Sequence, residues 1–310
     1  MRAMVFTRPG IVEMLDVDRP ELGPGEVLIH VEACGICGSE LHGISKPGFR
    51  EPPLVMGHEF SGTTADGRRV TVNPVISCGS CDRCLAGQEQ LCRTRTIVGI
   101  HRAGAFTSEV AVPEATVHEL PAGLSWESAA LIEPLANAVH AWGLAAPAVG
   151  ARVAILGAGT IGVVSQLVAQ HHGAEVTVVD LAEDRLQTAK SLGAGTVATE
   201  LEGEFDVILD AVGAPATHAA SLAHLRPGGT TIWIGLLSAT SGFDAQDVVR
   251  QEKTVKGSFA YNPRDFAAAV QLAATVDLSW ATSYSLEEGP GIFTELMNGR
   301  SDVIKAILKP

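Results

Sequence analysis

The stretch Val153-Ala-Ile-Leu-Gly157-Ala-Gly159-Thr160-Ile161-Gly162 decides how the second half of this chain is read. Four apolar residues form a buried strand run, and G-x-G-x-x-G follows at once, at the mouth of a helix-like segment. Gly157 permits the tight turn, Gly159 lets a pyrophosphate approach the backbone, and Gly162 allows the helix to pack closely on the strand. The first helical turn, with Thr160 and Ile161, then offers free N–H groups and the positive end of its dipole to the phosphates. Asp180 closes the next strand run, Val176-Thr-Val-Val-Asp180, where a carboxylate can accept hydrogen bonds from the adenosine ribose hydroxyls. The same residue could instead cap the helix that follows. A carboxylate there repels a 2′-phosphate, so NAD(H) is expected in preference to NADP(H).

Outward from this motif, apolar runs at Val153–Leu156, Val176–Val179, Val207–Leu209 and Thr231–Ile234 alternate with helix-like stretches. That is the pattern of βαβ units in a doubly wound parallel sheet, an α/β fold. Val153 to Gln170 carries no formal charge over 18 residues, about the length of a membrane span. Its glycines and polar residues fit a buried strand entering a helix better. Ahead of Gly150 the chain changes character. Short β-type runs such as Glu26–Glu32 and Arg69–Val72 are broken by Gly, Pro and Asp-rich turns, the mark of an irregular β-rich domain. After Asn262 come an amphipathic segment, Arg264–Ala274, and a strand-like Val303–Leu308, expected to pack back on the first domain.

Within the β-rich half, Cys78, Cys81, Cys84 and Cys92 stand at C-x2-C-x2-C-x7-C. Four thiolates from one short loop can fill the tetrahedral shell of a structural zinc. An iron–sulfur cluster uses the same donors and stays open as an alternative. Disulfides are disfavoured in a chain whose N-terminus, MRAMVFTRPG, has no apolar segment ending at a small-residue cleavage site. The expectation is a cytoplasmic protein.

Composition sets outer limits. With 310 residues, 46% of them hydrophobic, the chain can build two domains with proper cores. A net charge of −13 gives no basic surface for nucleic acid or anionic lipid. Neither is expected as a partner.

A second candidate metal site is scattered: Cys37-Gly-Ser39-Glu40-Leu-His42, then Gly57-His58-Glu59, then Leu131-Ile-Glu133-Pro134-Leu-Ala. Singly these are weak, since a lone His is more often a satisfied core residue and a lone Cys a small hydrophobe. Their order, with the cysteine lobe and the glycine motif, resembles the zinc-dependent medium-chain alcohol and polyol dehydrogenases nearly end to end.

That resemblance implies a GroES-like catalytic domain over 1–143 and 262–310, with a Rossmann NAD-binding domain over 144–261 and an active site in the cleft. Two zinc ions per chain are implied, one catalytic and one structural at Cys78, Cys81, Cys84 and Cys92. For the catalytic ion it implies Cys37 and His58 as ligands, with Glu133 ranked ahead of Glu59 as the third. Glu40 matches the acid that orients the ligating histidine, and Ser39 and His42 match proton-relay positions. Arg185, Val212, Ile234 and Leu236 join Gly157, Gly159, Thr160, Ile161, Gly162 and Asp180 as cofactor contacts. Phe49 and Tyr261 could line the substrate pocket or simply pack, and Cys34 is expected to be a buried thiol.

The activity so implied is hydride transfer between NAD(H) and a secondary alcohol or ketone of a polyol, sugar alcohol, cyclitol or amino alcohol. Two alternatives stand beside it, a biosynthetic carbonyl reductase and a catalytically silent cofactor-binding scaffold. The family also implies a homodimer or homotetramer. The chain departs from the family at Thr63–Val70, where a longer hairpin is replaced by a tight Asp66-Gly67 turn, and Ala274–Ser285 looks compressed.

Overall fold

The computed structural model describes residues 1–45, 50–300 and 302–310. The chain divides into two compact units, Met1–Glu133 with Asn262–Pro310, and Pro134–Tyr261. The division falls at the start of the helix Ile132–Ala145, whereas the sequence reading placed it at that helix's end.

In the second unit the strands Arg152–Leu156, Glu175–Val179, Thr196–Ala198, Phe205–Asp210, Leu225–Trp233 and Thr254–Gly257 form, among the described residues, one six-stranded sheet. All its pairings are parallel. Numbered along the unit, the strands lie in the order 3-2-1-4-5-6, that of a Rossmann fold. Because side chains alternate across a strand, Val153 and Ile155 enter one core with Val178, Val207 and Leu209, while Ala154 and Leu156 enter another with Val179 and Ile208. Each Val, Leu or Ile side chain so buried contributes about 1.5–3 kcal/mol relative to exposure. Two buried faces explain why the strand runs are continuously apolar rather than alternating. The uncharged run at Val153–Gln170 resolves into the strand Arg152–Leu156 and the helix Thr160–His171. Among the described residues no helix is long and apolar enough to cross a membrane.

The first unit is β-rich and mostly antiparallel, with a parallel pairing between Thr282–Ser285 and Ala306–Lys309. Its main sheet centres on the strand Glu26–Gly35, which pairs with Glu59–Thr64, with Glu109–Pro113 and with the C-terminal strand Ala306–Lys309. The last pairing is Ile307 with Gly35 and Leu308 with Cys34, so the end of the chain is stitched beside the segment leading to Cys37. Phe6, Phe60, Phe106 and Phe293 fill the core. The tight turn at Asp66-Gly67 is present, with Gly67 at φ +86° and Thr63 paired with Arg69. The amphipathic segment becomes the helix Pro263–Leu272, capped by Asn262, which accepts from the amides of Arg264 and Asp265.

Candidate functional site

Cys37 and His58 come together because two strand ends meet. The strand Glu26–Gly35 delivers Cys37 to the N-cap of the short helix Gly38–Gly43, and His58 stands directly before the adjacent strand, which Glu59 opens. Glu59 pairs with Gly35 in register. The donor atoms of Cys37, His58 and Glu59 all lie within 4.8 Å of one another.

Glu40 organises this group. Its Oε1 sits 3.1 Å from His58 Nδ1 and accepts from the Gly57 amide at 2.9 Å, while Oε2 accepts from the Cys37 amide at 3.0 Å. With Nδ1 engaged, Nε2 is the ring nitrogen left for a metal, the tautomer that a carboxylate behind a ligating histidine enforces. Burial would raise the Glu40 carboxyl, but His58, Arg50 and the Cys37 amide outweigh it and hold the group below its usual value. A thiolate, an imidazole and a carboxylate converging on one point is a donor set that fits zinc with a position to spare.

Glu133 lies outside this cluster. It is buried in the first turn of the helix Ile132–Ala145, and the donors that gather with Cys37 and His58 include Glu59. The reason is local: Glu59 follows His58 directly in a strand whose register with Gly35 turns its carboxylate inward.

Ser39 is half-buried on the helix Gly38–Gly43, its amide donating to Cys37 Sγ at 3.4 Å, and His42 is exposed one turn along. Cys34 is fully buried. Burial pushes its thiol well up, with Glu40 and Glu59 adding to the shift, so it behaves as an inert core group. Tyr261 is also fully buried, and Phe49 lies outside the described residues.

The cysteine lobe is self-contained. All four thiols are free, and their sulfurs fall within 4.8 Å of one another. Cys78 Sγ is 3.9 Å from Cys84 Sγ, and Cys81 Sγ is 3.5 Å from Cys84 Sγ. A tetrahedron with metal–sulfur bonds of about 2.3 Å has edges of about 3.8 Å, so the spacing suits a single tetrahedral ion.

In the parallel-sheet unit, Gly157 has φ +94°, and a Cβ on Gly162 would lie 1.7 Å from the Gly157 carbonyl oxygen. Only glycine permits that approach. A Cβ on Gly159 would meet nothing within 4 Å, leaving open space at the helix N-terminus where a pyrophosphate belongs. Asp180 accepts from the Ala158 amide at 2.7 Å and the Ala182 amide at 2.8 Å, with Arg185 Nη1 at 3.9 Å. It thus ties the glycine turn to the end of its own strand.

Three site residues were not read from the sequence. Asp210 Oδ1 accepts from the Val212 and Gly213 amides, both at 2.9 Å, and its carbonyl accepts from those of Ile234 and Gly235. It therefore anchors the two loops expected near the nicotinamide, and its position at the end of a strand run just ahead of Val212-Gly213 was the available signal. Lys305 and Arg50, both almost fully buried, contact Glu59 and Ser39. No local pattern marks either.

Comparison with known proteins agrees with this geometry. Residues 23–122 match the alcohol dehydrogenase GroES-like domain and residues 160–275 the zinc-binding dehydrogenase domain. The chain is similar to L-threonine 3-dehydrogenase of Streptomyces avermitilis, with 34% identity and 97% of each chain covered. The chain belongs to the zinc-dependent medium-chain dehydrogenases. Among solved structures, this dehydrogenase is similar to a zinc-binding dehydrogenase of Sinorhizobium meliloti bound to NADP, with TM-score 0.93, 29% identity and coverage of 100% and 99%. It is also similar to galactitol-1-phosphate dehydrogenase of Escherichia coli, with TM-score 0.92, 27% identity and both chains fully covered. The expected α/β architecture, a GroES-like unit with a Rossmann unit, is borne out, and the protein is an oxidoreductase of the zinc alcohol dehydrogenase family.

Proposed function

We propose that this dehydrogenase transfers a hydride between NAD(H) and the secondary alcohol of an amino alcohol or polyol, at a site built on Cys37, His58 and Glu59. The observation that carries the reading is the convergence of those three donors with His58 oriented by Glu40. Cys37 and His58 would hold the catalytic zinc, and Glu59 is the carboxylate placed to complete the set. Bound there, zinc supplies a Lewis acid that lowers the cost of removing the hydroxyl proton. Gly157, Gly159, Gly162 and Asp180 would hold the dinucleotide, which would supply the hydride acceptor or donor.

Ser39 takes the substrate hydroxyl proton while giving up its own. His42 lies three residues on, on the same helix face, and being exposed it delivers the proton to solvent. The substrate class is supported by the L-threonine 3-dehydrogenase and galactitol-1-phosphate dehydrogenase relatives, which act on secondary or sugar alcohols by name. The cysteine lobe takes a second, structural zinc. A symmetric dimer or tetramer is the expected assembly, to be read by light scattering.

Asp180 favours NAD(H). Arg185 beside it supplies the cation that a 2′-phosphate needs, so NADP(H) is the second reading. The test is reduced-cofactor formation by zinc-loaded protein with NAD⁺ or NADP⁺ and a panel of amino alcohols, polyols, cyclitols and simple alcohols. Chelator-sensitive turnover with NAD⁺ on one secondary-alcohol class is expected. Absence of turnover in both directions across the panel would reject the reading.

A further inference from the structure

Arg50 is a buried cation outside the residues that the family resemblance assigns to the site. Its residue is 2% exposed, and a buried guanidinium is costly unless its surroundings compensate it. Nη1 donates to the Ser39 carbonyl at 2.7 Å and Nη2 donates to Ser39 Oγ at 3.3 Å. Ser39 is therefore held at three atoms: its amide by Cys37 Sγ, and its carbonyl and hydroxyl oxygens by one planar guanidinium.

We propose that Arg50 is a positioning residue that fixes the direction of the Ser39 hydroxyl during proton removal. This role rests on the proton-accepting role of Ser39 given above. Arginine has no acceptor, so Ser39 Oγ must accept from it. A serine hydroxyl has two lone pairs and one hydrogen. With one lone pair committed to Nη2, a single lone pair remains to accept the substrate hydroxyl proton. The serine's own hydrogen must then point elsewhere, along the exit path. When the substrate O–H bond breaks and a new O–H bond forms on Ser39, the old Ser39 proton leaves in that direction, and no net charge stays on the serine. The fixed positive charge of Arg50 also favours the order in which the Ser39 proton leaves as the substrate proton arrives, because it stabilises negative and not positive charge on the oxygen. The paired contact to the carbonyl matters because it holds the guanidinium plane. Lysine, a point donor, cannot reproduce it.

The test is a double-mutant cycle on the zinc-loaded, full-length enzyme with Arg50→Gln, Ser39→Ala and both together. Arg50→Gln is expected to lower kcat about 10- to 100-fold with KM for the alcohol little changed, a loss typical of misplacing one reacting group. In the Ser39→Ala background the same change is expected to cost less than about twofold, because the group it acts through is already gone. Arg50→Lys, which keeps the charge, should fall between, and it runs through the same cycle in place of Arg50→Gln if that variant loses its fold. A crystal structure of the Arg50 variant gives a readout independent of turnover: Ser39 should occupy more than one side-chain rotamer.

Equal kcat losses in both backgrounds would overturn the proposal, as would a loss confined to KM, which marks an anion-binding role, or an unchanged single Ser39 rotamer. If Ser39→Ala itself leaves kcat intact, the proton-accepting role of Ser39 fails and the proposal fails with it. Damage from Ser39→Ala without coupling to Arg50 rejects the proposal alone.

Discussion

Lys305 donates to Glu59 Oε2, and both side chains are closed off from solvent. The same ammonium donates to the Ile36 carbonyl at 2.9 Å. Burial alone would lower the Lys305 pKa, but Glu59 and Cys37 outweigh it and hold the ammonium above its ordinary value. Space for the pair comes from Gly35, where a Cβ would lie 2.7 Å from Lys305 Cε. The C-terminal strand thus brings a cation to the one carboxylate grouped with Cys37 and His58, so Glu59 shares its charge between Lys305 and any metal.

Lys305→Met removes that cation and leaves a buried carboxylate with its charge uncompensated. Breaking a buried pair from one side costs about 3–5 kcal/mol, whereas replacing both partners with apolar residues is often close to neutral. Denaturant unfolding of the zinc-free protein should therefore show a large loss for Lys305→Met and a partial recovery when Glu59→Met is added. Equal stability of the single variant and the parent would show that the pair contributes nothing.

Gly57 precedes His58 with φ +96°, a conformation in which a side chain is strained. A Cβ there would fall 2.8 Å from both Cys34 Sγ and the Phe106 amide nitrogen. Its amide also donates to Glu40, the residue that orients His58. Gly57→Ala should cost about 1–3 kcal/mol from backbone strain alone and should reduce zinc at the Cys37 site. Metal analysis per chain checks this: occupancy should fall from two towards one, with the cysteine lobe still filled.

At Asp180 both carboxylate oxygens accept backbone amides, one from the glycine turn and one from the segment after the strand. Hydrogen bonds to a charged group are worth about 1.5–3 kcal/mol each, and every 1.4 kcal/mol or so is tenfold in affinity. Asp180→Ala should therefore weaken NADH binding about 10- to 100-fold in a fluorescence titration. NADP(H) should lose less, because the repelling carboxylate is gone while Arg185 remains. An unchanged ratio of the two affinities would remove Asp180 as the selectivity element.

These cases show where the sequence was transparent and where it was not. The parallel sheet was legible because strands buried on both faces must be continuously apolar, and because Gly157 and Gly162 each answer a separate steric demand at the strand-to-helix turn. The cysteine lobe was legible because all four donors sit within one loop. The scattered site was harder. Glu133 and Glu59 are both carboxylates in suitable motifs, and the register of Glu59 against Gly35, which groups it with Cys37 and His58, is not visible in the sequence. Lys305 and Arg50 gave no local signal, since their partners lie 246 and 11 residues away along the chain. Buried cations of this kind become visible only when tertiary structure brings their acceptors to them.

The cysteine lobe makes a prediction that depends on pH. Amides of Ser80 and Cys81 point at Cys78 Sγ and lower its pKa to about 5, while burial and the neighbouring Cys81 push Cys84 up to about 11. In metal-free protein at pH 7, Cys78 is then a thiolate and Cys84 a thiol, so iodoacetamide should modify Cys78 first and Cys84 last. The thiolate form of Cys78 favours the folded lobe above its unfolded pKa, and that contribution is lost as pH falls through about 5. Zinc must displace the Cys84 proton, so its affinity should rise with pH across the neutral range and the ion should leave below about pH 5. Saturating zinc should protect all four residues together. Mass spectrometry of the labelled peptides reads both effects, and labelling of Cys84 as fast as Cys78, or protection of fewer than four cysteines, would count against a single tetrahedral site.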